Sequence, residues 1–355
     1  MDVLLLLVAF VVILAGAELF TNGIEWFGRK LNLAEGAVGS VLAAVGTALP
    51  ETMIPIVAIL FSARGSEAAR EAGNEVGVGA ILGAPFMLST LAMFVTGVAV
   101  LVQARSRPGG DTMPVDAVVL GKDIRFFFVA YAVAVAVAFV PPELGPLRLV
   151  AAALLLAIYG LYVKDHFEAD PDVDAADLAP LRFGRLDLAG HREDPAAPRL
   201  RIVSFQVVFA LGLIIGGAVV FVDAVEHLAE QLSIAPAILA LVIAPIATEL
   251  PEKFNSILWV RQGKDTLAMG NITGAMVFQS CIPTVVALLF AGEAWRVTAD
   301  SLVPFASAGI AFLSTAAIFL PMSRRARLTG RGLLVGGPFY LLYLGLVGLA
   351  VSGMV

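Results

Sequence analysis

The chain has 355 residues, of which 59% are hydrophobic and 15% charged, and its mean hydropathy is +0.91. This is more apolar surface than a soluble core of that length can bury, so the composition excludes an ordinary soluble globular protein. The net charge of −6 excludes little, because the placement of charges along the chain matters more than their sum. The single cysteine, Cys281, excludes an internal disulfide and a cysteine-based metal site within one chain. The sequence therefore predicts an integral membrane protein.

Apolar runs separated by charged or Pro- and Gly-rich breaks predict the membrane spans. A helix of about 20 residues crosses a hydrocarbon layer of about 30 Å. The alternating pattern of β-barrel strands is missing, so we expect an all-α membrane protein with ten transmembrane helices. The predicted spans are residues 2–20, 36–61, 74–103, 124–141, 146–163, 202–222, 234–260, 266–292, 301–321 and 331–354.

The distribution of Lys and Arg predicts the orientation of these spans. When the segments between spans are assigned to alternating sides, one side receives four basic residues and the other receives eighteen. Because cytoplasmic loops carry the excess of Lys and Arg, the rich side is expected to face the cytoplasm. The expected location is therefore the cell membrane, as a multi-pass protein with both termini outside and residues 164–200 inside.

The two halves of the chain repeat each other at an offset of 201 residues. Five predicted spans separate equivalent points, and an odd number turns the second copy upside down. The sequence thus predicts two inverted five-helix repeats, a N-terminal repeat over 1–163 and a C-terminal repeat over 201–355, joined by a polar cytoplasmic linker over 164–200. Inverted repeats around a site at the membrane midplane are typical of secondary transporters. The matching pairs include Gly16 with Gly217, Phe20 with Phe221, Glu25 with Glu226, Thr47 with Thr248, Leu49 with Leu250, Pro50 with Pro251 and Glu51 with Glu252.

Each repeat carries one acidic residue in the middle of an apolar stretch, in GTALPE (46–51) and ATELPE (247–252). A carboxylate at mid-membrane costs at least ~2.5–3.5 kcal/mol on insertion scales, so Glu51 and Glu252 each need a proton or a cation. Thr47 and Thr248 lie four residues earlier, on the same helix face as the acidic residues.

The prolines of the two motifs supply further oxygen ligands. Pro50 and Pro251 remove backbone donors and free the carbonyl oxygens of Gly46 and Ala247. Carboxylate, hydroxyl and carbonyl oxygens are the hard ligands that Ca²⁺ prefers. None of the three histidines falls within a predicted span, so nitrogen ligands are not expected.

The paired motifs resemble the α-repeats of the sodium/calcium exchanger family, in which GTSLPE is followed one span later by GNVIGSNIFN. Here GTALPE and ATELPE are followed by GNEVG (73–77) and GNITG (270–274). The resemblance covers about 16–92 and 217–289. It implies ten helices, a Ca²⁺ site between Glu51 and Glu252, and alternating access by sliding of the first and sixth helices against the rest.

Several residues depart from the family pattern. Polar family positions are occupied in the first half by Ala48, Val78 and Leu82, which puts Na⁺ coupling in doubt. The second half instead has Glu249, which is interpreted either as a cation ligand or proton carrier or as the ion-pair partner of Lys253. Gln279 is predicted to be a further cation ligand. Glu75 could be a fourth carboxylate or a solvated residue. The predicted metal ligands are Glu51, Glu252, Thr47, Thr248, Glu249, Gln279, Gly46 and Ala247.

These features predict a secondary-active antiporter that exchanges Ca²⁺ or a related cation against Na⁺. A Ca²⁺/H⁺ exchanger of the same fold is the alternative, and a cation channel is the rival from another class. An enzyme is not expected, since no nucleophile is paired with a base. No cofactor and no nucleic-acid partner are expected. The expected partners are the transported ions and the lipid bilayer. A monomer should be sufficient for transport, and a dimer is left open.

The spacing of Gly212 and Gly216 predicts close sliding of the sixth span past its neighbours, or a dimer face.

Overall fold

The computed structural model describes residues 2–30, 49–62, 66–169, 180–186, 198–243, 257, 259–261, 263–325 and 327–352. Most of these residues are helical, and short helical pieces also cover 236–243 and 259–261. The long helices are α1 (Asp2–Lys30), α2 (Leu49–Ser62), α3 (Glu67–Met87), α4 (Met93–Gln103), α5 (Ala117–Val137), α6 (Leu147–Ala169), α7 (Leu200–Leu232), α8 (Asp265–Phe290) and α9 (Leu302–Arg325), followed by the short α10 (Gly330–Leu333) and by α11 (Gly336–Val351).

Seven helical segments within the described residues are long and apolar enough to cross a membrane. α3 and α4 form one of them, because the π-helical turn Leu88–Ala92 joins them without a break. A shorter apolar helix covers Glu51–Phe61. The prediction of a mostly helical membrane protein is confirmed. The spans are Val3–Ile24, Glu67–Gln103, Leu147–Asp165, Leu200–Leu232, Ala268–Phe290, Leu302–Ser323 and Gly330–Val351.

Several helices extend beyond the predicted spans. α1 reaches Lys30, where the apolar run suggests an end near residue 20, and α7 reaches Leu232 rather than 222. Charged residues end an apolar run without ending a helix, because the intrahelical backbone bonds continue across the membrane interface. The predicted spans 36–61 and 234–260 fall partly outside the described residues.

The α1 and α7 helices form the most extensive helix pair in the described part of the chain. They run antiparallel: Gly16 lies against Ile214, and Gly217 lies against Ile13. A Cβ atom at Gly16 would come within 2.8 Å of Ile214, and one at Gly217 within 2.7 Å of Ile13, so both glycines are needed for this close approach. The two contacts are equivalent under the 201-residue offset.

Gly212 and Gly216 do not mediate close packing among the described residues. A Cβ atom at either position would meet nothing within 4 Å. Among the described residues, the close contact predicted for these two glycines is not found, and Gly16 and Gly217 form a close helix contact instead. Spacing alone identifies a small-residue stripe but not the face on which the neighbouring helix lies.

A second packing unit surrounds α8. This helix contacts α5, α6, α3 and α2, and its side chains join the main hydrophobic core. α9 packs against α3, where the Ser314 hydroxyl donates to the Ser89 carbonyl at 2.6 Å in the π-helical turn. A short antiparallel ribbon pairs β1 (Thr112–Pro114) with β2 (Arg327–Thr329) beside α8. Strands of three residues carry no readable sequence pattern.

Candidate functional site

Glu51 lies on α2, which packs against α1, α3, α7 and α8. Its surface is 6% exposed, and the following Thr52 is buried to the same extent. The next turns of α2 belong to a hydrophobic cluster that also contains side chains of α1 and α7. A carboxylate in this setting has little access to water, and it requires compensation by a proton or a cation. The cluster includes Ile54, Val57 and Ala58 with Ala9, Ile13, Ala218 and Phe221.

Gln279 lies on α8 and is 2% exposed. Its neighbour Ser280 is also buried, and the Ser280 hydroxyl donates to the Met276 carbonyl at 2.7 Å. Because α8 packs against α2, the helices that carry Gln279 and Glu51 are in contact. The amide of Gln279 is thus a buried polar group on a helix adjacent to that of the acidic motif residue.

The other predicted ligands lie outside the described residues. They are Gly46, Thr47, Ala247, Thr248, Glu249 and Glu252, and Lys253 lies outside with them. Within the described residues, no group of three or more His, Cys, Asp or Glu side chains is arranged to hold a metal ion. The ligand set built on Glu51 and Glu252 stays a prediction.

Two apolar residues of the first half that stand at polar positions of the family pattern, Val78 and Leu82, are buried. Val78 is 3% exposed and Leu82 is fully buried on α3. Gly77, in the GNEVG segment, permits close packing against α2, since a Cβ atom there would lie 2.6 Å from Ile59. α3 therefore carries hydrocarbon side chains at two of the three positions where the first half lacks side-chain oxygens.

Glu75 is partly exposed and lines a cavity of about 420 Å³ at the N-terminal end of α3. The Asn74 side-chain oxygen beside it is buried and accepts no hydrogen bond within the described part of the chain. The cavity also receives charged side chains from the loop before α9. Its polar lining includes Glu67, Arg70, Glu71, Glu293, Arg296 and Asp300.

Asp123 is a buried acidic residue that the sequence analysis missed. It lies on α5, is 1% exposed, and accepts hydrogen bonds from the Thr273 hydroxyl at 2.5 Å and the Tyr162 hydroxyl at 3.2 Å. Thr273 belongs to the GNITG segment. Asp123 stands one residue before the predicted span 124–141. Its spacing from the buried residues Phe127, Ala130, Tyr131 and Ala134 on the same helix face is the signal that could have identified it.

Two ion pairs connect the helix ends. Arg107 pairs with Asp265, and both side chains are almost fully buried. The Arg107 guanidinium also donates to the carbonyl oxygens of Val260, Gly110 and Thr112 at 3.1, 2.9 and 2.7 Å.

The second pair joins Arg148 to Glu293 at 2.8 Å. Arg148 is buried, whereas the Glu293 side chain is 77% exposed. The hydrogen bond and positive charge of Arg148 lower the pKa of Glu293 below its usual range. Arg296 adds a weaker interaction at 3.6 Å.

The family of exchangers described as "Sodium/calcium exchanger protein" matches residues 1–164 and 203–351 of this chain. A curated protein of Alkalimonas amylolytica, named "Putative antiporter CaxA", is 23% identical over 327 residues, which cover 91% of this chain and 90% of that protein.

Solved structures share the fold. The H⁺/Ca²⁺ exchanger CAX matches with a TM-score of 0.72 and 16% identity, over 99% of this chain and 85% of that one. The structure of native YfkE matches with a TM-score of 0.63 and 13% identity, over 98% and 91%. A structure of the sodium-calcium exchanger NCX_Mj matches with a TM-score of 0.55 and 16% identity, over 97% of each chain.

The family match covers most of the chain and includes the segments that carry both motifs. The apolar helices agree with it, since they make the chain a multi-pass membrane protein. The chain belongs to the sodium/calcium exchanger protein family, within the cation/Ca²⁺ antiporters.

Proposed function

We propose that this chain is a secondary-active antiporter, not an enzyme or a channel, which exchanges Ca²⁺ or a related divalent cation for a monovalent cation. The observation that carries the proposal is the burial of Glu51 inside a helical membrane bundle. An intramembrane acidic residue is costly and marks an ion or proton path. Family membership makes a cation the natural partner of this carboxylate.

The proposed architecture is ten helices in two inverted repeats. The reciprocal contacts of Gly16 with Ile214 and of Gly217 with Ile13 support it, because each contact maps onto the other at the offset found in the sequence. An axis of pseudo-twofold symmetry in the membrane plane produces this relation between equivalent helices. The pair α1 and α7 is then the mobile element, and its sliding exposes the site to either side in turn.

The proposed divalent site lies between Glu51 and Glu252. Two carboxylates that face each other in a medium of low dielectric constant repel strongly, and a divalent cation between them removes that repulsion. Thr47, Thr248, Glu249 and Gln279, with the carbonyl oxygens of Gly46 and Ala247, would complete a coordination shell of oxygens. The burial of Glu51 and Gln279 on adjacent helices supports two members of this set.

We infer that protons are the coupling ion. The observation that favours protons is the burial of Val78 and Leu82, which offer no side-chain oxygen to a separate Na⁺ on α3. When the divalent ion leaves, a proton bound by Glu249 or Glu252 would remove the repulsion between two carboxylates only three residues apart in the sequence. The fold likeness to the H⁺/Ca²⁺ exchanger CAX is compatible with this choice.

Na⁺ coupling is the second candidate. The motif hydroxyls Thr47 and Thr248 and the buried amide of Gln279 are neutral oxygen ligands that a monovalent cation could use. The sodium-calcium exchanger NCX_Mj shares the fold.

Flux measurements in proteoliposomes separate the two candidates. Purified protein is reconstituted, and Ca²⁺ uptake is measured under a pH gradient without Na⁺ and under a Na⁺ gradient at equal pH. The proposal predicts uptake driven by the pH gradient. Uptake driven only by Na⁺ would replace the proton account by the Na⁺ account, and absence of uptake under both gradients would contradict the antiporter.

The proposed orientation places both termini outside and 164–200 in the cytoplasm. The ion pairs support the alternation of the spans, since Arg107 and Asp265 fall on the same predicted side, and Arg148 and Glu293 share the other. Glu143 lies exposed in a short turn on that second side. In a Cys281→Ser background, Glu143→Cys should react with an impermeant thiol reagent added to intact cells, and protection would reverse the orientation.

A further inference from the structure

Residues 180–186 of the linker form a docked segment on the ends of α1 and α7 that are nearest to the linker, here termed the linker ends. The segment contains a single 3₁₀ turn, Gly184–Leu186, yet its backbone is held by side chains. The Arg182 amide donates to the Asn22 side-chain oxygen at 3.0 Å, and the Phe183 amide donates to the Gln206 side-chain oxygen at 2.8 Å. The Asn22 amide also donates to the Pro180 carbonyl at 3.4 Å.

Gln206 connects three parts of the chain at once. Its side-chain amide donates to the Leu19 carbonyl of α1 at 2.7 Å and to the Asn22 side-chain oxygen at 3.0 Å, while its oxygen holds the docked segment. Gln206 is fully buried and Asn22 is 7% exposed. Buried amides that lose their partners carry the full cost of desolvation, so the intact network strongly favours this one arrangement.

Apolar contacts extend the docking. The ring of Phe183 lies 5.9 Å from that of Phe205 and 5.6 Å from that of Phe209, between ring centroids. Leu181 is buried in a small cluster with Trp26 of α1 and Val203 of α7. The ion pair of Arg182 with Glu18 at 2.7 Å adds little, because both side chains are more than half exposed.

The residues that bind the docked segment all lie on α1 or α7. Apart from two backbone hydrogen bonds within the segment itself, the hydrogen bonds, the ion pair and the ring contacts that it makes with other described residues all reach α1 or α7. It therefore joins these two helices without tying them to the helices around α8. The arrangement is also confined to one end of the pair: the repeat equivalents of Gln206 and Asn22 at the other end are Leu5 and Asp223, which cannot form the same amide pair.

We infer that Gln206 and Asn22 are positioning residues, which bind the docked segment so that the linker ends of α1 and α7 move as one rigid body during transport. The inference rests on the proposed function, in which this helix pair slides against the rest of the molecule. A pair that separates at one end would lose the coordinated motion that alternating access requires. The docked segment prevents that separation and stays bound throughout the cycle.

Spin labels test the rigid body without reference to the transported ion. In a Cys281→Ser background, labels are placed at the exposed residues Lys30 and Leu200, near the linker ends of α1 and α7. We expect one narrow interspin distance distribution that does not change on addition of Ca²⁺, and a broader one in Gln206→Leu. A distribution that shifts with Ca²⁺ in the otherwise unchanged protein, or that stays narrow in Gln206→Leu, would overturn the inference.

Transport kinetics supply the second measurement. The turnover number of Gln206→Leu should fall several-fold, up to roughly tenfold, because molecules whose linker ends have separated cannot complete the coordinated motion. The KM for Ca²⁺ should stay unchanged, because the network lies on α1 and α7 and not on α2. Arg185→Ala, which alters an exposed side chain of the same segment, is the matched control and should keep both values.

A second variant covers the case in which Gln206→Leu does not fold. Arg182→Pro removes the backbone N–H that donates a hydrogen bond to the Asn22 side-chain oxygen, and it leaves the sequences of α1 and α7 unaltered. It should also broaden the distance distribution and lower turnover. If broadening occurs without any loss of turnover in either variant, the docked segment has no part in transport. If the wild-type protein moves no Ca²⁺ at all, the proposed function fails, while the spin-label result still decides whether the two helices form one body.

Discussion

The Thr273 hydroxyl on α8 donates a hydrogen bond of 2.5 Å to the Asp123 carboxylate on α5. Both residues are buried, and Thr273 belongs to the GNITG segment of the second repeat. Thr273→Val keeps the shape of the side chain and removes the donor to a buried acidic group. We expect a loss of about 1–2 kcal/mol in the free energy of unfolding, measured by denaturant titration in detergent.

Thr273→Ser is the matched control, since it retains the hydroxyl and removes only a methyl group. It should lie much closer to the wild type than Thr273→Val does. Equal stability losses in the two variants would show that packing, and not the hydrogen bond to Asp123, accounts for the effect.

The buried pair of Arg107 and Asp265 should be sensitive to loss of one partner. Arg107→Met leaves the Asp265 carboxylate buried and uncompensated, which costs about 3–5 kcal/mol in comparable pairs. The double variant with Asp265→Leu should recover a large part of that loss, because no unpaired charge remains. Arg70→Met, in the exposed pair with Glu67, should change stability by less than about 1 kcal/mol. Additive losses in the buried double variant would contradict this account.

The contact of Arg148 with Glu293 predicts a pH dependence in the acid range. Arg148 lowers the pKa of Glu293 in the folded protein below the ordinary value of 4.5, so the contact stabilises the fold above that pH. The contribution is lost as the pH falls through the lowered folded-state pKa. The melting temperature of Glu293→Gln should therefore fall less than that of the wild type between pH 6 and pH 3. Glu143→Gln, at an exposed site that forms no ion pair with another described residue, should retain the wild-type slope. An identical slope in Glu293→Gln would rule out this contribution.

The reciprocal glycine contact can be tested by adding one methyl group. At Gly16 the new Cβ atom would lie 2.8 Å from Ile214 Cγ1 and 3.1 Å from the Ala210 carbonyl oxygen, so part of the neighbouring helix must shift. Gly16→Ala and Gly217→Ala should each lower the melting temperature by an amount equivalent to about 1–3 kcal/mol. The added Cβ atom of Gly212→Ala would meet no described atom within 4 Å, so this variant should leave the melting temperature unchanged or slightly higher. Equal effects at Gly16 and Gly212 would contradict the observed packing.

The helical membrane fold could be predicted from sequence because apolar runs of sufficient length have few alternatives. The helix ends were less predictable: α1 continues to Lys30 since the loss of apolar character does not interrupt its backbone hydrogen bonds. The grouping of the first and sixth helices is implied by the family resemblance, but only three-dimensional contacts show that α1 packs against α7 and that Gly16 and Gly217, rather than Gly212 and Gly216, face a described neighbour.

The candidate site was predictable to a smaller extent. Glu51 and Gln279 lie buried on adjacent helices, whereas their role as metal ligands stays a prediction. Asp123 escaped notice because three charged residues in four positions resemble the end of a helix, although its spacing from Phe127 and Tyr131 places it on the buried face. The docking of 180–186 depends on Gln206 and Asn22, which lie far away in sequence, so the acidic and proline-rich composition of the linker gave no indication of it.

Because Glu51 is buried, removing its negative charge tests the central claim most directly. Glu51→Gln preserves the size of the side chain and removes the negative charge, whereas Glu143→Gln makes the same change at an exposed turn. Both variants are purified, compared with the wild type by melting temperature and size-exclusion profile, and reconstituted into liposomes under opposed gradients of Ca²⁺ and the coupling ion. The account predicts that Ca²⁺ exchange by Glu51→Gln falls to the level of protein-free liposomes, while Glu143→Gln retains the wild-type rate. Exchange at the wild-type rate in folded Glu51→Gln would contradict the account.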